Sequence, residues 1–245
     1  MRQAIQAAGF KWRAAKVVLT STDPEYREKL ERVQAVLSSL QEDERFFSID
    51  EFGPFAVKAK PGRVLAAPGV YPNVAQWQKS KGWLILTAAL ELSRNQVTHF
   101  YSRAKNTEEM VKMAKVLLGE YEGMRTLYLS WDAASWHISK KLFAFIEDHN
   151  ACPEARPRIE LVPLPASAQF LNVIESVFSG MARAIIHSSD YPSVDAARNA
   201  IDRYFADRNR QFAEHPKRAG SKIWGEERTA STFDAANNCK DAAYR

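Results

Sequence analysis

The stretch Arg45-Phe46-Phe47-Ser48-Ile49-Asp50-Glu51-Phe52-Gly53 ends an apolar run on a pair of acids. Aromatic and β-branched residues at this density read as a core strand, whose side chains alternate between two faces. A carboxylate at the end of such a strand sits where charge is costly unless a partner or cation answers it. The stretch Leu127-Tyr128-Leu129-Ser130-Trp131-Asp132 repeats the arrangement. There Leu127, Leu129 and Trp131 share one face, and Tyr128, Ser130 and Asp132 the other. A third acid, Glu175, lies on a helical stretch beside Ile174 and between Leu171 and Phe178, which puts it on or beside the apolar face. The pattern predicts a buried carboxylate there, in need of a partner or a metal. Periodicity does not choose Asp50 over its neighbour Glu51.

Working outward, Asp23-Pro24-Glu25 reads as a helix start with Asp23 as N-cap. That helix is expected to run to about Glu42, with Leu30, Val33, Leu37 and Leu40 on one stripe. Arg45 to Asp50 and Pro54 to Ala59 read as two strands around Phe52-Gly53. Residues 60–82, rich in Pro, Gly, Lys and Trp, read as a long ordered loop. Trp83 to Leu92 and Val97 to Ser102 form a further hairpin. Thr107 to Tyr121 is an amphipathic helix capped by Thr107, with Met110, Met113, Ala114 and Leu117 inward. Thr126 to Trp131 is a strand, Ile138 to His149 a helix, Arg158 to Val162 a last strand, and Leu171 to His187 and Val194 to Phe212 helices. Hairpin strands followed by alternating helix and strand predict an α/β fold, a mixed sheet with helices on both faces.

Composition narrows the function. The chain has 245 residues, 46% hydrophobic and 26% charged, which supports a sizeable core and argues against disorder throughout. A net charge of +5 suits a polyanionic partner, though only modestly. The two cysteines, Cys152 and Cys239, have no zinc-ligand spacing and do not suggest a disulfide scaffold. No secretory h-region is visible at the start, and the longest apolar run, Trp83 to Leu92, is too short to span a bilayer. A cytoplasmic location is therefore expected, in the bacterial cytosol with the nucleoid, with no membrane partner.

Three acids converging from remote segments would form a hard oxygen-ligand site suited to Mg²⁺ or Mn²⁺. A pair of such ions roughly 3.5–4 Å apart can activate a water and stabilise the leaving oxygen of a phosphodiester. The plainer reading makes each strand-end Asp a turn residue and pairs the helical Glu with a Lys or Arg.

At these residues the chain resembles the mariner-like insertion-sequence transposases of the DDE superfamily. Phe47-Ser48-Ile49-Asp50-Glu51-Phe52-Gly53 is similar to the family's first-acid strand, where the Asp of an Asp-Glu pair is the ligand. Leu129-Ser130-Trp131-Asp132-Ala133-Ala134-Ser135-Trp136-His137 is similar to the second, with Ala133 in place of the usual Asn. Leu164-Pro165 through Leu171-Asn172-Val173-Ile174-Glu175 is similar to the third, with Val173 in place of Pro. Phe178 replaces the usual Trp, and the gap from Asp132 to Glu175 is longer than the family's. The extra length falls at the Pro-containing loop Asn150 to Pro157.

The resemblance implies a ribonuclease H-like fold on a mixed five-stranded sheet. It implies Asp50, Asp132 and Glu175 as catalytic residues and as ligands of two Mg²⁺ or Mn²⁺ ions. The reaction implied is cut-and-paste DNA transposition, insertion at TA, by a homodimer acting on double-stranded DNA: the terminal inverted repeats and the target. It also implies three segments: a remnant of a DNA-binding region and linker helix over 1–44, the catalytic domain over 45–215, and a polar tail over 216–245.

Of the family's helix-turn-helix units only a remnant is expected here: Ala8-Gly9-Phe10-Lys11-Trp12-Arg13 resembles the closing piece of such a region, whose start would lie upstream or in another reading frame of a split element, unless this is a decayed copy. The alternative function is therefore a non-catalytic DNA-binding or dimerising transposase remnant; another ribonuclease H-like nuclease is a third. Lys58, Lys60, Arg63, Lys79 and Lys81, in or beside the loop, are candidate phosphate contacts, with Trp77 and Trp83 interleaved. For Trp83 a core position is an equal expectation. His137 can orient a carboxylate, touch the scissile phosphate, or cap the helix that follows. Trp131 and Trp136 read as packing residues.

Overall fold

A computed structural model describes residues 7–9 and 21–220. The chain divides into two compact units, and the larger, Ser21–Glu226, holds the elements that follow. Most of the segment 8–13 that the sequence suggested as the end of a DNA-binding region, and the tail beyond residue 220, lie outside the described residues.

Strand β1 (Glu44–Ala56) is the centre of a five-stranded sheet of order β3-β2-β1-β4-β5. Its partners are β2 (Trp83–Glu91), antiparallel, and β4 (Thr126–Ser130), parallel. The edges are β3 (Gln96–Ser102), antiparallel to β2, and β5 (Arg158–Leu161), parallel to β4. The sheet is mixed, as expected.

A strand flanked on both faces needs apolar side chains pointing both ways. Phe46 packs on one side with Val33 and Leu37 of α1 (Tyr26–Ser39), with Ile174 and Phe178 of α4 (Val173–Met181), and with Ile201 and Phe205 of α5 (Val194–Glu214). Phe47 and Ile49 pack on the other with Met110, Met113 and Leu117 of α2 (Thr107–Glu120) and with Leu142 and Ile146 of α3 (Lys140–Ala151). Helices therefore cover both faces. The compact unit opens at Ser21, ahead of the 44/45 boundary suggested by the sequence, because α1 contributes to the same core.

Several local expectations need correction. The two runs around Phe52-Gly53 are one strand, since β2 pairs straight through from Phe47↔Glu91 to Ala56↔Trp83. The irregularity between Phe52 and Phe55 is a bulge rather than a turn. Gly53 carries it with φ +111°, and a Cβ there would stand 2.6 Å from the Leu84 carbonyl oxygen. Helix α1 ends at Ser39, before Glu42. Helix α2 is capped by Asn106, which accepts from Glu109 N at 3.0 Å, and α3 by Ser139, so neither Thr107 nor His137 caps. The stretch expected as one helix over Leu171 to His187 is a 3₁₀ turn (Gln169–Leu171), then α4, then a π turn (Ala182–Ile186). No helix among the described residues is long and apolar enough to cross a membrane.

The segment between β1 and β2 is a loop pinned at its base. Val57 N donates to the Gly82 carbonyl at 2.9 Å, and Lys60 N to the Ser189 carbonyl at 2.8 Å. Beyond that base Val64, Leu65, Tyr71 and Trp77 are exposed.

Candidate functional site

The parallel register of β1 and β4 sets the first two acids side by side. Their last pair is Ser48↔Ser130. Two residues further along stand Asp50, on the face of β1 where Phe46 stacks with Tyr128 at 6.5 Å, and Asp132, just past the end of β4. Alternation sends Glu51 to the opposite face.

Asp50 is 8% exposed. Its Oδ1 accepts from Glu51 N at 2.7 Å and its Oδ2 from Asn172 Nδ2 at 2.8 Å. Burial pushes its carboxyl up to about 7; the Glu51 amide opposes that, and the charges of Asp132, Glu175 and Glu51 add to it. The charges of Asp132 and Glu175, from two remote segments, therefore bear on Asp50.

Asp132 is in a different setting. Its Oδ1 faces His137 Nδ1 at 2.8 Å and accepts from Ala134 N at 3.1 Å. The His137 hydrogen bond, against some burial, holds its carboxyl below the usual range, and the charge of Lys105 contributes.

His137 is fully buried, with Nε2 3.4 Å from Glu51 Oε1. Burial works against its charged form, but the bonds to Asp132 and Glu51 outweigh that and raise it to about 9. With no exposed surface it is not presented to DNA; of the expected roles, its surroundings favour orienting a carboxylate. The Glu51 side chain, equally buried, also accepts from Trp136 Nε1 at 3.2 Å. Trp131 is core, as expected; Trp136 packs against the same cluster but adds this polar contact.

Glu175 corrects an expectation. It lies in the first turn of α4 and is exposed, while Ile174, Val177 and Phe178 take the buried positions. Its neighbours at helical spacing are apolar, but it flanks their stripe rather than joining it. No desolvation penalty therefore demands a partner for it.

The loop cations are spread out. Arg63 and Lys79 are exposed, and Lys58 is half-buried. The Lys60 ammonium lies 4.9 Å from the centre of the Phe55 ring, and burial with the charge of Lys58 holds it below the usual lysine range. Lys81 is engaged, 2.6 Å from Asp190 Oδ1. Trp83 is exposed rather than core, as is Trp77.

Ser48 and Asn172 bear on the site without having been singled out from sequence. Ser48 Oγ donates to Asn172 Oδ1 at 2.5 Å. The available signals were a serine inside an apolar strand and an asparagine directly before a helix.

The donor set is all carboxylate around Asp50, and among the described residues neither Asp50 nor Glu175 has a Lys or Arg ion-pair partner. A surplus of negative charge on hard oxygen donors fits a divalent cation. Among the described residues, however, no three His, Cys, Asp or Glu side chains are already closed into a coordination shell. The acids feel one another without meeting at a common point.

Residues 45–198 match the family described as DDE superfamily endonuclease. Among solved structures, a pre-cleavage Mos1 transpososome matches with TM-score 0.58 at 15% identity, over 91% of this chain and 67% of that one. The Mos1 Strand Transfer Complex matches with TM-score 0.59 at 14% identity, over 86% and 63%. The Mos1 mariner paired end complex with Mn matches with TM-score 0.59 at 15% identity, over 86% and 65%. At these identities the likeness carries the fold, a ribonuclease H-like one. The chain spans about two thirds of the length of the Mos1 chains it matches. No curated protein matches it.

Proposed function

The chain belongs to the DDE superfamily endonucleases, and from that premise we propose that it is the catalytic domain of a DNA transposase. In this reading Asp50, Asp132 and Glu175 hold divalent cations, Mg²⁺ or Mn²⁺, two in number. The observation that carries it is the state of Asp50: a buried carboxyl pushed up to about 7 by burial and by the charges of acids remote in sequence. A buried carboxyl under such added negative charge is a place where a compensating cation is expected. Mos1 complexes with Mn and with Mg exist in this fold, which supports the choice of ions.

Ions so bound would activate a water, then a 3′ hydroxyl, and stabilise the leaving oxygen of a phosphodiester. The residues divide the remaining work. Asp50 supplies a rigid carboxylate from the middle of the sheet. Asp132 supplies one oriented by His137, which is itself held by Glu51. Glu175 supplies an exposed carboxylate free to swing toward substrate. Lys58, Lys60, Arg63 and Lys79 would contact phosphates of the duplex. The substrates in this reading are terminal inverted repeats and target DNA, and the acting form is a homodimer.

The test is nicking of DNA that carries the element's ends, in Mg²⁺ or Mn²⁺. Asp132→Asn should abolish it with the fold intact, because an amide supplies no negative charge. A mutant that cuts as well as the parent ends the triad reading. DNA binding by the parent without cleavage under any divalent ion makes it a non-catalytic remnant.

A further inference from the structure

We propose that Asn172 and Ser48 are positioning residues, a buried clasp that fixes the strand of Asp50 against the helix of Glu175; this rests on the metal reading above. Asn172 stands directly before α4, where an asparagine ordinarily caps the helix with its own side chain. It does not do so. Its Nδ2 donates instead to Asp50 Oδ2 at 2.8 Å, and its Oδ1 accepts from Ser48 Oγ at 2.5 Å. The helix amide left open, Ile174 N, donates to Ser48 Oγ at 3.1 Å. The cap of α4 is thus supplied by β1, and the would-be cap is turned toward the acid.

All three partners are buried: Asn172 is 2% exposed, Ser48 3% and Ile174 0%. The amide orientation follows from the network. Turned the other way, its oxygen would face a carboxylate oxygen. Asn172 lies three residues before Glu175, so the clasp reaches from the first acid to the first turn that carries the third.

The choice of amide matters chemically. A lysine or arginine at this place would neutralise Asp50 and compete with a cation. Asn172 restricts the carboxylate's rotation while leaving its charge available. That is the work of an outer partner that orients a ligand, whose loss typically weakens metal binding about 10–100-fold.

The experiment measures Mn²⁺ affinity of the full 245-residue chain by electron paramagnetic resonance of free Mn²⁺, alongside metal-free thermal unfolding. Asn172→Ser leaves the Ser48 cap of Ile174 N in place but is too short to reach Asp50. Its Mn²⁺ affinity should fall by about one to two orders of magnitude; the unfolding midpoint should fall as well, because Asp50 and Ser48 each lose a buried partner, so the affinity is read below the transition. Should that variant fail to fold, Ser48→Ala carries the test. It removes the hydroxyl that fixes the amide and should weaken Mn²⁺ binding likewise, while Ser48→Thr restores it. Parent-like affinity in Asn172→Ser or a folded Ser48→Ala, with binding lost in Asp132→Asn, overturns the clasp and leaves the metal reading standing. If the parent takes up no Mn²⁺, or Asp132→Asn binds it equally well, the metal reading falls and the clasp falls with it.

Discussion

His137 Nδ1 stands 2.8 Å from Asp132 Oδ1 while the other ring nitrogen faces Glu51 Oε1 at 3.4 Å. One buried ring therefore joins an acid just past the end of β4 to the neighbour of Asp50 on β1. With His137 raised to about 9, the ring is cationic at neutral pH and counters both. His137→Ala would leave the Glu51 side chain buried with the Trp136 indole and no cation against it. Breaking a buried pair from one side costs roughly 3–5 kcal/mol. Urea denaturation at neutral pH should show a loss of that order, and a parent-like midpoint would mean the ring does not hold the network together.

Glu175 separates function from stability. It is exposed and has no salt-bridge partner among the described residues, so Glu175→Gln should leave unfolding within about 0.5 kcal/mol of the parent. Metal-dependent cleavage should nonetheless disappear, because the amide removes one ligand charge. A clear loss of stability in this variant would point to a structural role instead.

Asp23 gives the chain an acid-sensitive joint. Its Oδ2 accepts from Ala166 N at 2.7 Å and from Lys29 Nζ at 2.9 Å, and its Oδ1 accepts from Glu25 N at 2.9 Å. These bonds, the Ala166 amide first, lower it to about 2. An unfolded aspartate titrates near ~3.9, so its contribution is complete above that and is lost as pH falls through about 2. The stability difference between parent and Asp23→Ala should therefore be widest above pH ~4 and close toward pH ~2. A difference that stays constant with pH would mean the carboxylate's charge is not what ties α1 to the loop at Ala166.

Gly53 is needed at the bulge of β1. At φ +111°, a Cβ would meet the Leu84 carbonyl oxygen at 2.6 Å and Phe55 N at 2.9 Å, both backbone atoms of the paired strands. Gly53→Ala should cost about 1–3 kcal/mol in thermal or chemical unfolding. An unchanged midpoint would show that the bulge relaxes freely.

The sheet was legible because β1 and β4 carry apolar residues on both faces and alternate strictly. That alternation put Leu127, Leu129 and Trp131 in one cluster and Tyr128 in the other. The continuity of β1 through Gly53 was not legible, since Gly-Pro between two apolar runs looks the same for a turn and a bulge. Glu175 misled because helical spacing shows which residues lie near a stripe but not which side chain escapes it. The His137–Glu51 and Ser48–Asn172 contacts join residues 86 and 124 positions apart, and no local pattern encodes such pairs. The choice of Asp50 over Glu51 was not legible either, because strand alternation separates the two side chains without saying which of them a cation would meet.

The loop cations give the last prediction. Phe55 lies under the Lys60 ammonium, packs against Phe52 at 6.2 Å, and Phe52 packs against Phe178 of α4 at 5.7 Å. An aromatic row thus connects Lys60, near the base of the loop, to the helix that carries Glu175. Burial first, and then the charge of Lys58, hold Lys60 below the usual lysine range, and a polyanion would offset the second of these. Lys58→Ala with Lys60→Ala should weaken duplex binding without regard to base sequence. The slope of log affinity against log salt should become shallower by about one for each phosphate that is no longer neutralised. Lys81→Ala acts otherwise: it breaks the ion pair with Asp190 and should loosen the loop's base while leaving that slope near the parent's. Fluorescence anisotropy over a salt series separates the two. Equal slopes for the parent and the Lys58/Lys60 double variant would remove these lysines from the DNA-binding surface.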